Sequence, residues 1–300
     1  MARKPHSSAS LPSLRKLGVS EMERSGKATR QDWPEGYTMP TVVRARDFYL
    51  YDRYGERYTD FFQNYGRAIL GHRPERIQQA IKSTVSRGLI AEYPSVFTGR
   101  LEKLLVNLFP SFPVVRIYTD PRKVMQAVSA VSDDALFDPA LSAEHASRTV
   151  SYWRPFLGFG GAESVMLLPI LPFPGSFVPQ VVCLKEEACT VAIPPSDCIS
   201  PLLLDLLIKT TASLIQVLKS EETVAKRMDN PLSGVFKTRG PYGLTGLSEE
   251  RYAAFAREAL TKHMVFPRAA DVPFIIPGSY TKGDVVGLVE LASRYANAVT

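Results

Sequence analysis

The sequence predicts an α/β fold, and three observations carry that expectation. Strand-length apolar runs, Val114 to Tyr118, Val165 to Leu171 and Phe177 to Leu184, alternate with stretches whose apolar residues recur at helical spacing. Hydrophobic residues make up 45% and charged residues 22% of 300, the balance of a globular chain with a sizeable core. No apolar run reads as long enough to span a bilayer. Cys183, Cys189 and Cys198 are odd in number and lack Cys-x-x-Cys spacing, and the four histidines are scattered. A reducing, cytoplasmic compartment without a metal site is the expectation.

The elements follow in order. Residues 1–36 form a polar, basic leader closed by Trp33-Pro34-Glu35-Gly36, with no apolar core of a secretion signal. Seven of the first thirty residues are Lys or Arg, opposed there by Glu21 and Glu23, and without those thirty the +6 net charge falls close to neutral. Its charges are dispersed and lack aromatic interleaving, so a loosely docked tail is expected rather than a nucleic-acid surface. Phe48 to Tyr51, a turn at Asp52-Arg53-Tyr54-Gly55 and the run Glu56 to Phe62 read as a hairpin. After Pro74, Ile77, Ala80, Ile81 and Val85 mark one helical face that Gly88 stops. A second helix begins after the N-cap Thr98, buries Leu101, Leu104, Leu105 and Leu108, and ends before Pro110. Val114 to Tyr118 is a buried strand, and Pro121 opens a helix through Val124, Val128 and Val131.

The middle is less regular. Ser132 to Arg148 reads as an acidic loop with a short helix. Val165 to Leu171 is a strand stopped by Pro172-Phe173-Pro174-Gly175. Phe177 to Leu184 and Ala188 to Ile193 are expected to pair antiparallel across Lys185-Glu186-Glu187. A buried helix runs from Ser200 to Ser220, with Ser200 as N-cap and Pro201 at its first position. Ser248 caps a helix containing Tyr252, Phe255, Ala256 and Leu260. The extended segments Met264 to Pro267 and Ile275 to Pro277 follow. The last helix starts near Thr281, with Asp284 at the capping-box position. The expected divisions are 1–36, 37–112, 113–228 and 229–300.

One segment carries a family likeness. Leu50-Tyr51-Asp52, Gly55, Tyr58 and Asp60, then Tyr65-Gly66 and Leu70-Gly71-His72, follow the pattern "LYD..G..Y.D" and "G...LGH". This resembles the N-terminal segment of class III, pyridoxal-phosphate-dependent aminotransferases, especially the glutamate-1-semialdehyde aminomutase branch. The resemblance implies a reduced version of that α/β fold, with a shrunken central sheet domain and a small domain built from the N- and C-terminal parts. It also implies dimers, either of this chain or with a full-length relative, and a substrate-facing segment at Asn64, Tyr65 and Gly66.

The chemistry of that family needs a phosphate cradle, a stacking ring, an acid on the pyridine nitrogen and a Schiff-base lysine. Where the family places "NSGTEA" at a helix N-terminus, this chain has Thr119-Asp120-Pro121-Arg122-Lys123-Val124. Asp120 repels a phosphate and Pro121 removes a backbone donor. The "DEV..GFR" and "YHG" motifs are absent. Lys185 is the one lysine near the end of a middle strand, but no glycine follows it, and Glu186 and Glu187 favour its charged form. Lys209 and Lys219, on the long helix, suit the role no better. Gly158-Phe159-Gly160-Gly161-Ala162-Glu163 precedes a strand and reads as a turn. The expectation is a degenerate aminotransferase-like protein without bound pyridoxal phosphate, acting as a binding or subunit-like protein. Two alternatives stand: an active aminotransferase or aminomutase using an unrecognised lysine with pyridoxal phosphate, and a basic-tailed protein binding nucleic acid or an acidic partner.

Overall fold

The computed structural model describes residues 37–74, 77–134, 136–142, 149–158, 164–172, 180–190 and 192–297. The basic leader and all but Gly158 of the Gly158 to Glu163 turn lie outside them.

The first strands are β1 (Val42–Arg46), β2 (Tyr49–Asp52) and β3 (Arg57–Asp60), a meander whose second turn is the expected hairpin. Asp52 builds that turn. One carboxylate oxygen accepts from the backbone N–H groups of Tyr54 and Glu56 at 2.8 and 3.0 Å, the other from the Tyr58 hydroxyl at 3.2 Å. The free edge of β3 then takes β10 (Met264–Val265) in parallel, in the register Met264 to Thr59 and Val265 to Asp60. Segments about 200 residues apart therefore share one sheet. Its core is aromatic: Phe61 stacks on Phe266 at 5.1 Å, and Phe255 meets Phe266 edge-on at 4.8 Å. Around them lie α6 (Glu249–Thr261) and α7 (Lys282–Asn297), which supply Tyr252, Ala256, Leu288 and Leu291. The caps expected for these two helices form. The Ser248 hydroxyl accepts from the Arg251 N–H, and Thr281 and Asp284 exchange bonds in a capping box.

The central sheet has the order β4–β7–β6–β5, built from β4 (Val114–Tyr118), β5 (Val150–Trp153), β6 (Met166–Pro169) and β7 (Gln180–Leu184). β4, β6 and β5 run in one direction and β7 runs against them. Alternate residues divide the core between the two faces. Val115, Ile117, Leu167, Val181 and Cys183 join one cluster with α2 (Val96–Leu108) and α4 (Pro201–Lys219). Tyr118, Met166, Leu168, Val182 and Leu184 join Val124 and Val128 of α3 (Pro121–Val131) on the other. The sheet is thus covered on both sides, which makes the molecule the predicted α/β protein with a small central sheet.

Four expectations need correction. α2 starts at Val96 after Ser95, so Thr98 lies inside its first turn and does not cap it. Ala188 to Ile193 forms no hairpin partner for β7. A 3-10 helix, Glu186–Thr190, follows the strand directly. β7 is flanked by β4 and β6, so it has no free edge to offer. In α1 (Ile77–Ser86) the buried residues are Ala80 and Thr84, while Ile81 and Val85 are 39% and 43% exposed. The helix is rotated because the Thr84 hydroxyl donates to buried Asp205 of α4 at 2.9 Å. Finally, α4 does have the length and mean hydropathy, 1.5, of a bilayer-crossing helix. Its apolar residues instead pack against the sheet and its helical neighbours. Ser200 leaves its N-terminus uncapped and donates to the Ile90 carbonyl. β11 (Phe274–Ile275) overlaps the expected extended segment at Ile275, whereas β8 (Lys237–Arg239) and β9 (Tyr242–Leu244), with which it forms a sheet in the order β11–β9–β8, were not legible, nor was α5 (Glu221–Met228).

Candidate functional site

In open α/β sheets, ligands bind beyond the carboxyl ends of the parallel strands. Here that edge gathers the residues after β4, β5 and β6 and, because β7 is reversed, the start of β7. Three groups of side chains lie along it.

The first is the β4–α3 junction. Asp120 is the N-cap of α3, with extended backbone angles, and its carboxylate accepts from the Arg122 N–H at 2.9 Å and from Arg122 Nε at 3.1 Å. These Arg122 bonds hold the Asp120 carboxyl below the usual range. A second carboxylate, Asp197, accepts from the backbone N–H and hydroxyl of Thr119 at 2.8 and 3.0 Å, and also pairs with the Lys123 ammonium. Partial burial opposes ionisation of Asp197, but Lys123 and Thr119 outweigh it, so its carboxyl also lies low. A helix N-terminus offers a phosphate its free N–H groups and positive dipole end. Here two carboxylates of the chain itself use those donors, and Pro121 has none to give. The residues present do not fit a bound phosphate.

The second group is Gln63-Asn64-Tyr65-Gly66. All four have positive φ, at 46°, 47°, 60° and 94°. A left-handed turn of non-glycine residues costs roughly 1–2 kcal/mol per residue, so neighbouring groups must hold it. Asp60 does much of this. One of its oxygens accepts from the N–H groups of Phe62 and Gln63, each at 2.9 Å, and the other is 2.8 Å from His72 Nε2. Gln63 Nε2 donates to the Ile275 carbonyl at 2.9 Å, and the Ala68 and Arg67 N–H groups bond back to Gln63 and Asn64. Gly71 lets the chain return. At φ +85°, a Cβ there would lie 2.8 Å from the Asp47 carbonyl oxygen, whose partner is the His72 N–H. The Leu70-Gly71-His72 and Asp60 positions of the motif are therefore the fastening of this turn.

The third group is arginine. Arg154 leaves the end of β5 and forms a two-point ion pair with Asp138, at 2.7 and 2.5 Å, both side chains being under a tenth exposed. Burial works against its charge, but Asp138 more than offsets this and holds the guanidinium above its ordinary value. Its Nη1 reaches the Tyr65 carbonyl at 3.4 Å, and its guanidinium stands 5.3 Å from the centre of the Tyr242 ring. Arg67 donates to the side chain of Gln180, the first residue of β7, at 3.2 Å. Arg227 lies between the rings of Phe48 and Phe156 at 5.7 and 5.0 Å. One of its nitrogens donates to the Ile276 carbonyl at 2.9 Å, while Nη2 is buried without a hydrogen-bond partner, as is the Tyr242 hydroxyl. Burial pulls Arg67 and Arg227 each down to about 10 and pushes the Tyr242 hydroxyl well up.

The predicted site residues fall on opposite edges. Asn64, Tyr65 and Gly66 stand at the carboxyl edge beside Arg154. Lys185, which ends the reversed strand β7, stands at the amino edge, near Val165, Glu187 and Phe112. A five-residue strand separates them by about 15 Å. Among the described side chains no lysine is buried, and no group of His, Cys, Asp and Glu is arranged to hold a metal. Sequence reasoning missed Arg67, Arg154, Arg227, Asp138 and Asp197. Arg154 did carry a signal, a lone charge within Tyr152-Trp153-Arg154-Pro155-Phe156. Asp197 carried none, because its partner Thr119 is 78 positions away.

No family model matches the chain. An uncharacterized protein of Borreliella burgdorferi is 26% identical over 267 residues, 89% of this chain and 95% of that protein. A glutamate-1-semialdehyde 2,1-aminomutase of Heliobacterium modesticaldum is 34% identical over 76 residues, which cover 25% of this chain and 17% of the aminomutase. Among solved structures, the ornithine delta-aminotransferase of Plasmodium falciparum superposes with a TM-score of 0.67 at 12% identity, over 94% of this chain and 98% of that one. The chain has a class III aminotransferase-like fold, that of the pyridoxal-phosphate-dependent transferases.

Proposed function

We propose that this chain is an aminotransferase-like protein that has given up pyridoxal-phosphate catalysis and works as a binding or subunit-like protein. The observation that carries the reading is the β4–α3 junction, where Asp120 and Asp197 take the donors a cofactor phosphate would need. The placement of Lys185 at the far edge of the sheet supports it, as does the lack of any buried lysine among the described side chains. The strained turn at Gln63 to Gly66 is kept although the cradle is not, which favours a retained role for the carboxyl edge in binding. A homodimer, or a heterodimer with a full-length relative, follows by analogy with the fold.

Incubation of the purified protein with pyridoxal phosphate tests this. The expected result is no internal-aldimine absorbance and no mass adduct after borohydride reduction. One stoichiometric reduced adduct on a single lysine would overturn the reading and install an active aminotransferase in its place.

A further inference from the structure

The carboxyl edge holds an imbalance of charge. Three guanidiniums, those of Arg67, Arg154 and Arg227, are withdrawn into it, and one carboxylate, Asp138, neutralises one of them. Arginine does not discharge at neutral pH, so the usual escape of a buried cation is closed to it. Arg67 meets a neutral amide, and Arg227 meets a carbonyl and two aromatic faces. These soften the desolvation but bring no counter-charge, and unpaired buried ions are costly. The unused donors point the same way. Arg227 Nη2 and the Tyr242 hydroxyl are both buried with no acceptor, and buried donors are nearly always satisfied. The residues are contiguous. Arg154 touches Tyr65, next in the turn to Gly66 and Arg67, and faces the Tyr242 ring. Tyr242 pairs with Ile275, the neighbour of Ile276, whose carbonyl takes Arg227.

We infer that Arg67, Arg154, Arg227 and Tyr242 form a receiving site for a small organic oxyanion, a carboxylate or a phosphate ester. Such a group accepts from planar guanidinium forks and from a phenol, and it supplies the missing charge. The inference deepens the proposed binding role by naming the class of ligand, and it rests on that reading.

The test uses the full chain, titrated with inorganic phosphate and separately with succinate at fixed ionic strength. Sodium chloride and the neutral analogue succinamide serve as controls, with melting temperature and heat of binding as readouts. At least one anion should raise the melting temperature with its concentration while neither control does. Which anion acts tells a phosphate ligand from a carboxylate one. Arg67→Gln, at the least buried of the three arginines, should weaken binding at least tenfold while the ligand-free melting temperature stays level or rises. In the wild-type protein, phenylglyoxal labelling read by peptide mass spectrometry should show Arg67 protected by the effective anion. That measurement decides the matter if the variant does not fold. No response to either anion beyond the controls, undiminished binding in Arg67→Gln, or unprotected Arg67 would each overturn the inference. None of these outcomes involves a lysine aldimine, so failure here is separate from failure of the non-catalytic reading.

Discussion

Asp138 and Asp197 show how single carboxylates define this molecule. Asp138 and Arg154 are 8% and 7% exposed, so neither charge is stabilised by water once the other is gone. Asp138→Asn strands a buried guanidinium and should lower stability by about 3–5 kcal/mol, read as a shift in the urea midpoint. Asp197 contributes through its protonation. Its folded-state carboxyl lies below the ordinary value, held there by Lys123 and Thr119 against the opposing effect of burial. The stability it contributes is therefore complete above the ordinary carboxylate range and is lost as pH falls through the lowered folded value. Wild type should exceed Asp197→Asn at pH 7, and the gap should close on acidification below about pH 4. A gap that widens in acid would contradict the assigned pairing. Gly71 is the third such position. Gly71→Ala sets a Cβ against the Asp47 carbonyl at positive φ and should cost about 2–4 kcal/mol in urea unfolding.

At the scale of elements, legibility followed the range of the interactions that make each one. The capping box of α7 and the start of α3 at Pro121 were readable because their partners are within three residues. The Asp52 turn was readable for the same reason. Strands of three or four residues, such as β5 and β8, exist only through partners far along the chain, and no local period announces them. The reversal of β7 is likewise a property of the sheet, and it carried Lys185 to the wrong edge for chemistry at Tyr65. The rotation of α1 is the instructive miss. Apolar spacing favoured Ile81 and Val85, but a hydroxyl satisfying the buried Asp205 fixed the other face. Thr84→Val should therefore destabilise by about 2 kcal/mol despite its added apolarity, because Asp205 loses its donor. The double variant Thr84→Val/Asp205→Leu should recover most of that loss in the same measurement, since no polar group is then left unpaired. An additive double variant would mean the bond does not set the helix face.

For the whole molecule, the segment that resembles the aminomutases fixes a scaffold. Asp60, Gly71 and His72 hold the turn at the sheet edge, and β3 joins β10 so that segments far apart in the chain close around it. Such a frame can persist without the cradle at Asp120, because none of those bonds passes through the β4–α3 junction. The same frame leaves one region of surface unusually apolar. From α1 to the start of α2, Ile81, Val85, Ile90, Tyr93 and Val96 are 39%, 43%, 53%, 71% and 68% exposed. Five large apolar side chains are thus exposed within 16 positions, and we propose this stretch as the interaction face of the proposed dimer. If the proposed homodimer forms, a two-fold interface would use one such face from each copy. Sedimentation velocity should then show a dimer at micromolar concentration. Tyr93→Glu/Val96→Glu should convert it to a monomer while leaving the circular dichroism spectrum unchanged, because both side chains lie outside the core. A wild-type chain that sediments as a monomer at every concentration, or a variant that remains dimeric, would remove this face from the assembly and leave its apolar residues to a different partner.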